Sequence, residues 1–437
     1  MVHSDAKIIY LTAGAGGMFC GSCMHDNALS KALSNHGWNI QLVPTYTPIR
    51  TDEDNVSVDQ VLFGGINVYL QQKIPLFRYL PGFLDRFLDS PWLIRKVTSK
   101  AVDADATLLG QMALSMLKGS GGRQAKEVAK LCKWIQLNQA DLVIFSNVLI
   151  GGCIADLKKA LDIPVLVTLQ GDDVFLDSLK KPFRQKCIDQ IKKIVPHVDG
   201  FIVQSQFFRA YMGEYFGIPE EKFFVTPLGI ELDDFSTFRE SASKTKIDSQ
   251  IFNIGYMARL APEKGLHHLV DAFLELKQRP QTDDFRLTIA GWLSSDNQEY
   301  AQAQWKKLSD AGLDDQFDYL GSIDRTEKLE LFRSLDLLTV PTEFLEPKGI
   351  YVLESFAAGV PVIQPAHGAF PELVEASQGG WLVPPKNPVE LANHWQSASA
   401  DREELAKRGR SGQEYVFANR DSQSMAESTS EVIARFV

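Results

Sequence analysis

The sequence predicts an α/β fold made of two doubly wound domains, each with a parallel sheet. Short apolar runs alternate with amphipathic helical patterns, as in "KIIYLTA" and "ADLVIFSN" of the first half and "IFNIGYMA" and "RLTIAG" of the second. Strands separated by helices form βαβ units, which build parallel sheets with helices on both faces. This series occurs twice along 437 residues, a length that exceeds one ordinary hydrophobic core.

Composition shifts along the chain predict the domain boundaries. The stretch 230–250 is polar and rich in serine and charge, which is typical of an exposed segment between domains. We therefore expect one domain at 1–235, a linker at 236–250 and a second domain at 251–417. Residues 70–120 break the strand–helix alternation with an aromatic and locally basic stretch, so we expect a helical insertion there.

The composition excludes several classes of protein. A formal net charge of −10 argues against general nucleic-acid binding. No apolar run approaches the roughly 20 residues that span a membrane, and the polar N-terminal lead lacks the layout of a signal peptide. Five cysteines are few and odd in number, so we expect reduced thiols and a cytoplasmic location. We interpret the pair Cys20 and Cys23 as packing or site-lining thiols, with a redox motif as the alternative.

A glycine-rich loop follows the first predicted strand in "LTAGAGGMFCGSC", residues 11–23. Gly16 and Gly17 would let backbone amides approach a phosphate or a sugar closely, although a simple tight turn explains them equally well. The spacing matches neither the dinucleotide fingerprint nor a P-loop. Asp26 and Asn27, just inside the next helix, are candidate sugar or acceptor contacts, with helix capping as the alternative.

Two cations lie in the loop after the strand "NIGYMA", immediately before a predicted helix. Arg259 and Lys264 are poorly placed there for stability, because a helix N-terminus already carries partial positive charge. The arrangement suits a site that binds a strongly anionic ligand.

Two carboxylates lie near a second predicted helix start, in "EFLEPKGIYVLESFAAG". With the helix beginning at Gly349, Glu346 falls in the preceding loop and Glu354 falls within the helix, so the two could contact separate parts of an extended ligand. The alternative is a pair of solvated glutamates, which the matching cations disfavour.

Together these residues resemble the retaining glycosyltransferases of family 4, as do "FIVQSQF" (201–207), "TPLGIELDDF" (226–235) and "GAFPELVE" (368–375). The resemblance implies the GT-B fold, in which two Rossmann-like domains face each other across a cleft. It also implies that the first domain is acceptor-sided and that residues 418–437 return to it. The implied reaction moves a hexosyl unit from a nucleoside-diphosphate-sugar to a glycan, lipid-linked or small-molecule acceptor, with retained configuration.

The resemblance implies a role for each matching residue. Arg259 and Lys264 would bind the diphosphate, Glu354 the ribose and Glu346 the donor sugar, which makes Arg259, Lys264 and Glu346 the candidate catalytic residues. The other implied donor contacts are Gly16, Gly17, Gly255, Ser322, Ile323, Gly349, Ile350 and Tyr351. Gln170 stands where relatives usually have a histidine facing the sugar, so it is a candidate sugar contact that cannot shuttle a proton near neutral pH.

No paired-carboxylate metal site is convincing, so we expect no metal cofactor, and the two cations would take its place. Two alternatives stay open: a nucleotide-sugar epimerase or hydrolase on the same fold, and a catalytically silent nucleotide-sugar binder. The segment 70–100 has an excess of basic residues among aromatics. It would pack on the first domain, form a wall of the acceptor site, or make peripheral contact with the inner face of a membrane.

Overall fold

A computed structural model describes residues 5–14, 21–59, 61–62, 106–241 and 251–437. The chain divides into two compact units, residues 1–227 with 425–437 and residues 228–424. The sequence pattern predicts the corresponding boundaries at 235 and 418. Several predictions fall outside the described residues, namely those for Gly16, Gly17, Cys20, the insertion up to residue 105 and the linker from 242.

The first unit contains a six-stranded parallel sheet in the order β2-β1-β3-β4-β5-β6. Its strands are β1 Lys7–Thr12, β2 Asn39–Pro44, β3 Leu142–Phe145, β4 Val165–Thr168, β5 Gly200–Val203 and β6 Phe223–Val225. The helices between them are α1 Gly21–Asn35, α2 Ala106–Leu117, α3 Ala125–Leu137, α4 Ile154–Leu161, α5 Asp172–Ser178, α6 Lys181–Ile194 and α7 Gln206–Phe216. Helix α2 begins inside the predicted insertion.

The second unit contains another six-stranded parallel sheet, in the order β12-β11-β10-β7-β8-β9. Its strands are β7 Phe252–Met257, β8 Phe285–Ala290, β9 Phe317–Tyr319, β10 Leu337–Leu338, β11 Val362–Pro365 and β12 Gly380–Val383. The helices of this half are α8 Ser236–Ser241, α9 Leu266–Lys277, α10 Gln298–Asp310, α11 Arg325–Ser334, α12 Ile350–Ala357, α13 Phe370–Ser377, α14 Pro388–Ala400, α15 Arg402–Asn419 and α16 Ser422–Ile433.

The last helix, α16, extends across the boundary between the units at residue 424, and its later residues belong to the first unit. There the indole of Trp38 donates a 2.8 Å hydrogen bond to the hydroxyl of Ser430. Phe436 packs edge-on against Phe224 with ring centroids 5.8 Å apart. Both contacts pack the C-terminal residues against the first unit.

The apolar runs of the sequence form the interiors of both sheets. Every residue of β3, β4 and β5 is buried, as expected for parallel strands covered on both faces by helices. In the second unit, buried Trp395 of α14 donates from its indole to the hydroxyl of Thr339, at 3.1 Å. The predicted fold class, two doubly wound parallel α/β sheets, is confirmed. Among the described residues, no helix combines the length and the hydropathy that a bilayer crossing requires.

Strand order fixes where a ligand would bind in each unit. In open parallel sheets, ligands bind at the carboxyl ends of neighbouring strands whose connections run in opposite directions. This point falls between β1 and β3 in the first unit, and between β7 and β10 in the second. The loops that follow these four strands are therefore the candidate ligand-binding segments.

A substitution at Gly255 would test the packing of the second sheet, because Gly255 lies inside β7 directly against Leu335. A Cβ atom added there would come within 2.2 Å of Leu335 Cδ1, whereas one added at exposed Gly121 meets nothing within 4 Å. We predict that Gly255→Ala lowers the free energy of unfolding by about 1–3 kcal/mol, the usual cost of overpacking. Gly121→Ala should change it by less than about 0.5 kcal/mol. Calorimetric unfolding of both variants checks this, and equal stability would contradict the packing.

Candidate functional site

The loops after β7 and β10 are bound to each other at the switch point of the second unit. The carbonyl of Glu263 accepts three hydrogen bonds from the β10 loop: from the Thr342 hydroxyl at 2.7 Å, and from the amides of Glu343 and Phe344 at 3.0 and 3.2 Å. Gly265 has φ +73°, and a Cβ atom there would lie 1.9 Å from the Pro341 carbonyl oxygen. A glycine is therefore required for this close approach.

Lys264 and Glu346 meet across these two loops. The Lys264 Nζ donates to Glu346 Oε2 at 2.7 Å, and the two side chains are only 13% and 8% exposed. The ammonium also faces the rings of Phe344 and Tyr351, at 5.0 and 5.8 Å from their centroids. A compact cation is thus held in a mostly apolar surrounding by one carboxylate and two aromatic faces.

The electrostatics of Glu346 favour its ionised form. Burial acts to raise the pKa of this carboxyl, but the charge of Lys264 and its hydrogen bond, together with the nearby charge of Lys348, outweigh that effect, and the pKa lies below its ordinary value. The amide of Gly349 also approaches Glu346 Oε1, at 3.5 Å. The pair is therefore ionic near neutral pH.

Tyr256 stabilises the loop that carries Arg259 and Lys264. This buried residue of β7 donates from its hydroxyl toward the carbonyls of Arg259 and Lys264, at 3.3 and 3.2 Å. Tyr256 was not among the predicted site residues, although a polar hydroxyl within an apolar strand is a usable signal in the sequence. Arg259 itself is 42% exposed and pairs with Glu263 at 3.0 Å, so it is not part of the buried pair with Glu346.

Glu354 lies on α12 and is paired with a residue that the sequence analysis did not identify. Lys328 Nζ, on α11, donates to Glu354 Oε1 at 2.5 Å, and the two side chains are 7% and 5% exposed. The pair therefore joins two helices, α11, which follows β9, and α12, which follows β10. A second buried ion pair therefore lies along α12, beyond the one at its start.

The other described residues that were predicted to contact the donor lie in three separate segments of the second unit. Gly349 and Ile350 lie at the start of α12, and Tyr351 is buried in its first turn. Burial, followed by the charge of Glu346, raises the pKa of Tyr351, so its hydroxyl keeps its proton. Ser322 and Ile323 lie in the loop between β9 and α11, and Gly255 lies inside β7.

In the first unit, two of the predicted residues, Asp26 and Gln170, meet near the carboxyl ends of β1 and β4. Buried Asp26 accepts hydrogen bonds from Tyr10, Thr12 and Gln170, at 2.8, 2.7 and 2.8 Å. Gln170 also donates to the Ser146 carbonyl at 2.9 Å. Tyr10 and Thr12 were missed, although two polar side chains two residues apart on a strand must share one face.

Asn27 has different hydrogen-bond partners from its neighbour Asp26. Its amide donates to the Asp54 carbonyl at 2.8 Å, and its side-chain oxygen accepts from the Val56 amide at 2.9 Å. Both bonds hold the loop at 54–56. Cys23, in the same helix, is a buried free thiol.

Comparison with known proteins identifies the family. The description "Glycosyl transferases group 1" matches residues 237–415, and "Glycosyltransferase Family 4" matches residues 108–234. The chain belongs to glycosyltransferase family 4. The resemblance inferred from the motifs is thereby confirmed.

Curated relatives agree with this assignment. This family-4 chain is 26% identical over 266 residues to the D-inositol 3-phosphate glycosyltransferase of Pseudarthrobacter chlorophenolicus, covering 59% of this chain and 62% of that protein. It spans about two fifths to three fifths of the length of the curated relatives that it matches.

The fold matches solved structures over nearly its whole length. Sucrose-phosphate synthase from Thermosynechococcus elongatus superimposes with a TM-score of 0.72 at 18% identity, covering 98% of each chain. Anabaena Alr3699/HepE in complex with UDP-glucose gives 0.66 at 18% identity, covering 98% of this chain and 99% of that one. The predicted GT-B fold is confirmed.

The lowered pKa of Glu346 makes a prediction about acid stability. Because the folded carboxyl titrates below its ordinary value of 4.5, its contribution is complete above that pH and is lost as the pH falls through the lower folded pKa. We predict that the stability difference between wild type and Glu346→Gln is large at pH 7 and narrows below pH 4.5. Urea unfolding across this pH range measures it. A difference that widens in acid would contradict the assignment.

Proposed function

We propose that this chain transfers a hexosyl unit from a nucleoside-diphosphate-sugar to a glycan, lipid-linked or small-molecule acceptor, retaining the anomeric configuration. The observation that carries the proposal is the buried Lys264–Glu346 pair, held at 2.7 Å beside the start of α12. A family-4 chain with a cation and helix amides at its switch point is suited to an anionic leaving group.

Lys264 would bind the donor diphosphate. An ammonium has three donor hydrogens, and among the described residues Glu346 accepts one of them. The carboxylate therefore positions the cation without using all of its hydrogen-bonding capacity. The amides at the start of α12 would add partial positive charge next to it. A related fold, that of HepE, was solved with UDP-glucose, which supports this class of donor.

The reaction breaks the bond between the anomeric carbon and the phosphate oxygen, and forms a bond from that carbon to an acceptor oxygen on the same face. The acceptor's proton would pass to the departing phosphate oxygen. Negative charge develops on the diphosphate, where Lys264 and Arg259 would stabilise it. Glu346, kept ionised by Lys264, would stabilise positive charge at the anomeric carbon.

The other polar residues would position these groups. Glu354 would accept hydrogen bonds from the ribose, with Lys328 holding its carboxylate in place at 2.5 Å. Asp26 already accepts hydrogen bonds from several side chains. We therefore propose that Asp26 orients the Gln170 side chain and does not itself contact the sugar.

Removing either proposed phosphate cation should slow turnover. We predict that Lys264→Ala and Arg259→Ala each lower kcat by about 10²–10³, the usual effect of losing one preorganised electrostatic contact. The control is Lys307→Ala, which removes an exposed lysine paired with Asp271 in the same unit and should leave kcat unchanged. Radiolabelled-donor assays measure this, with circular dichroism to verify folding. Near-normal kcat for Lys264→Ala would contradict the phosphate role.

Transfer should not depend on an added divalent ion, because the cations and helix amides would already neutralise the diphosphate. We predict that kcat persists in excess chelator. Abolished transfer that magnesium or manganese restores would count against the proposed site. The same assay, run without an acceptor, separates transfer from the two alternatives: hydrolysis would give free sugar and nucleoside diphosphate, and epimerisation would give an isomerised nucleotide-sugar.

A further inference from the structure

A second cluster of polar side chains lies at the same edge of the second sheet, outside the proposed donor contacts. His267 and His268 occupy the first turn of α9, and Glu343 lies in the loop after β10. The Nε2 atoms of the two histidines lie 3.1 and 3.0 Å from the same carboxylate oxygen, Glu343 Oε1. The side chains are 24%, 13% and 31% exposed, so the cluster is partly covered and open to water.

The donor atoms are those that zinc-class ions prefer. Two imidazoles and one carboxylate, with a remaining position for water, form a recurrent three-ligand set for Zn²⁺. The three ligand atoms lie within 4.8 Å of one another. In a tetrahedral site with bonds of about 2.0–2.1 Å, two ligand atoms are about 3.3 Å apart. Small side-chain rotations would therefore bring all three onto one ion.

The surroundings of His267 fit metal ligation. Tyr300 places its hydroxyl 2.8 Å from His267 Nδ1 and accepts from the His267 amide at 3.1 Å. A hydroxyl can accept from Nδ1–H, and that tautomer leaves the Nε2 lone pair for a cation. Such a partner on the far ring nitrogen is the common arrangement for metal-binding histidines.

Lys386 is the cation that already contacts this cluster. Its Nζ lies 2.5 Å from Glu343 Oε2, and its side chain is 58% exposed. It contacts the oxygen that faces away from the imidazoles, so Oε1 stays available for a monodentate bond. Because the ammonium can turn into solvent, it need not be displaced from a buried position.

We propose that His267, His268 and Glu343 form a binding site for a divalent transition-metal ion of the zinc class. The ion would fasten the first turn of α9 to the loop that carries Glu346. This site lies apart from the proposed phosphate contacts, and it does not require the proposed transferase activity. Its role is structural: it would add to the hydrogen bonds that already join the two loops, so transfer would persist in chelator.

The test uses the full chain, treated with chelator, dialysed and titrated with Zn²⁺ by calorimetry and with Co²⁺ by visible absorption. We expect one equivalent to bind, with the intense d–d bands of a tetrahedral Co²⁺ site. His267→Ala and His268→Ala should each weaken binding at least tenfold, and Tyr300→Phe by about 10–100-fold. The matched control is His394→Ala, since His394 Nδ1 is bonded at 2.9 Å to the Glu390 carbonyl of its own helix.

Two results would overturn the proposal. The first is the absence of stoichiometric binding by the wild-type chain, which would mean that the cluster is only a set of hydrogen bonds to Glu343. The second is binding that His267→Ala and His268→Ala leave as tight as His394→Ala does, which would place the ion elsewhere. Circular dichroism verifies that each variant is folded, and Tyr300→Phe, which keeps all three ligands, serves as the second variant if an alanine variant fails to fold.

Discussion

The contact between the loops after β7 and β10 is the constraint on which the rest of the second unit depends. It is made by backbone: the Glu263 carbonyl accepts three hydrogen bonds from residues 342–344, and Gly265 lies against the Pro341 carbonyl. The Lys264–Glu346 pair is a consequence of this contact, because Lys264 directly follows Glu263 and Glu346 lies two residues after Phe344. A side chain at position 265 would separate the loops and leave two buried charges without partners.

A buried ion pair contributes little net stability, because removing two charges from water costs roughly what their attraction returns. Its value here lies in preorganisation. The fold holds Lys264 in place before any ligand arrives, so the cation would need no reorganisation as charge develops on a leaving group. The Lys328–Glu354 pair along the same helix repeats the arrangement. Two carboxylates of one helix region are thus each paired with a lysine, Lys264 from the loop after β7 and Lys328 from helix α11.

Local patterns in the sequence were enough to predict the fold class and to single out Lys264 and Glu346, but they did not predict the ion pair between the two. The apolar runs and their spacing predict parallel strands, and the loop positions of Lys264 and Glu346 predict that each lies at a strand's carboxyl end. Strand order is not a local property, so the sequence could not show that β7 and β10 are neighbours. For the same reason it could not show that Lys328, after β9, is the partner of Glu354. Arg259 was grouped with Lys264, yet it pairs with Glu263, four residues along the chain.

The most direct test of the account compares nucleoside diphosphates with the matching monophosphates by calorimetry. If Lys264 binds the second phosphate, the wild type should bind UDP, GDP or ADP about tenfold or more tightly than the monophosphate, since a charge-assisted hydrogen bond contributes about 1.5–3 kcal/mol. In Lys264→Ala that ratio should fall toward one, while Lys307→Ala should keep it. A ratio that Lys264→Ala leaves unchanged would contradict the central claim, because the diphosphate would then be bound elsewhere.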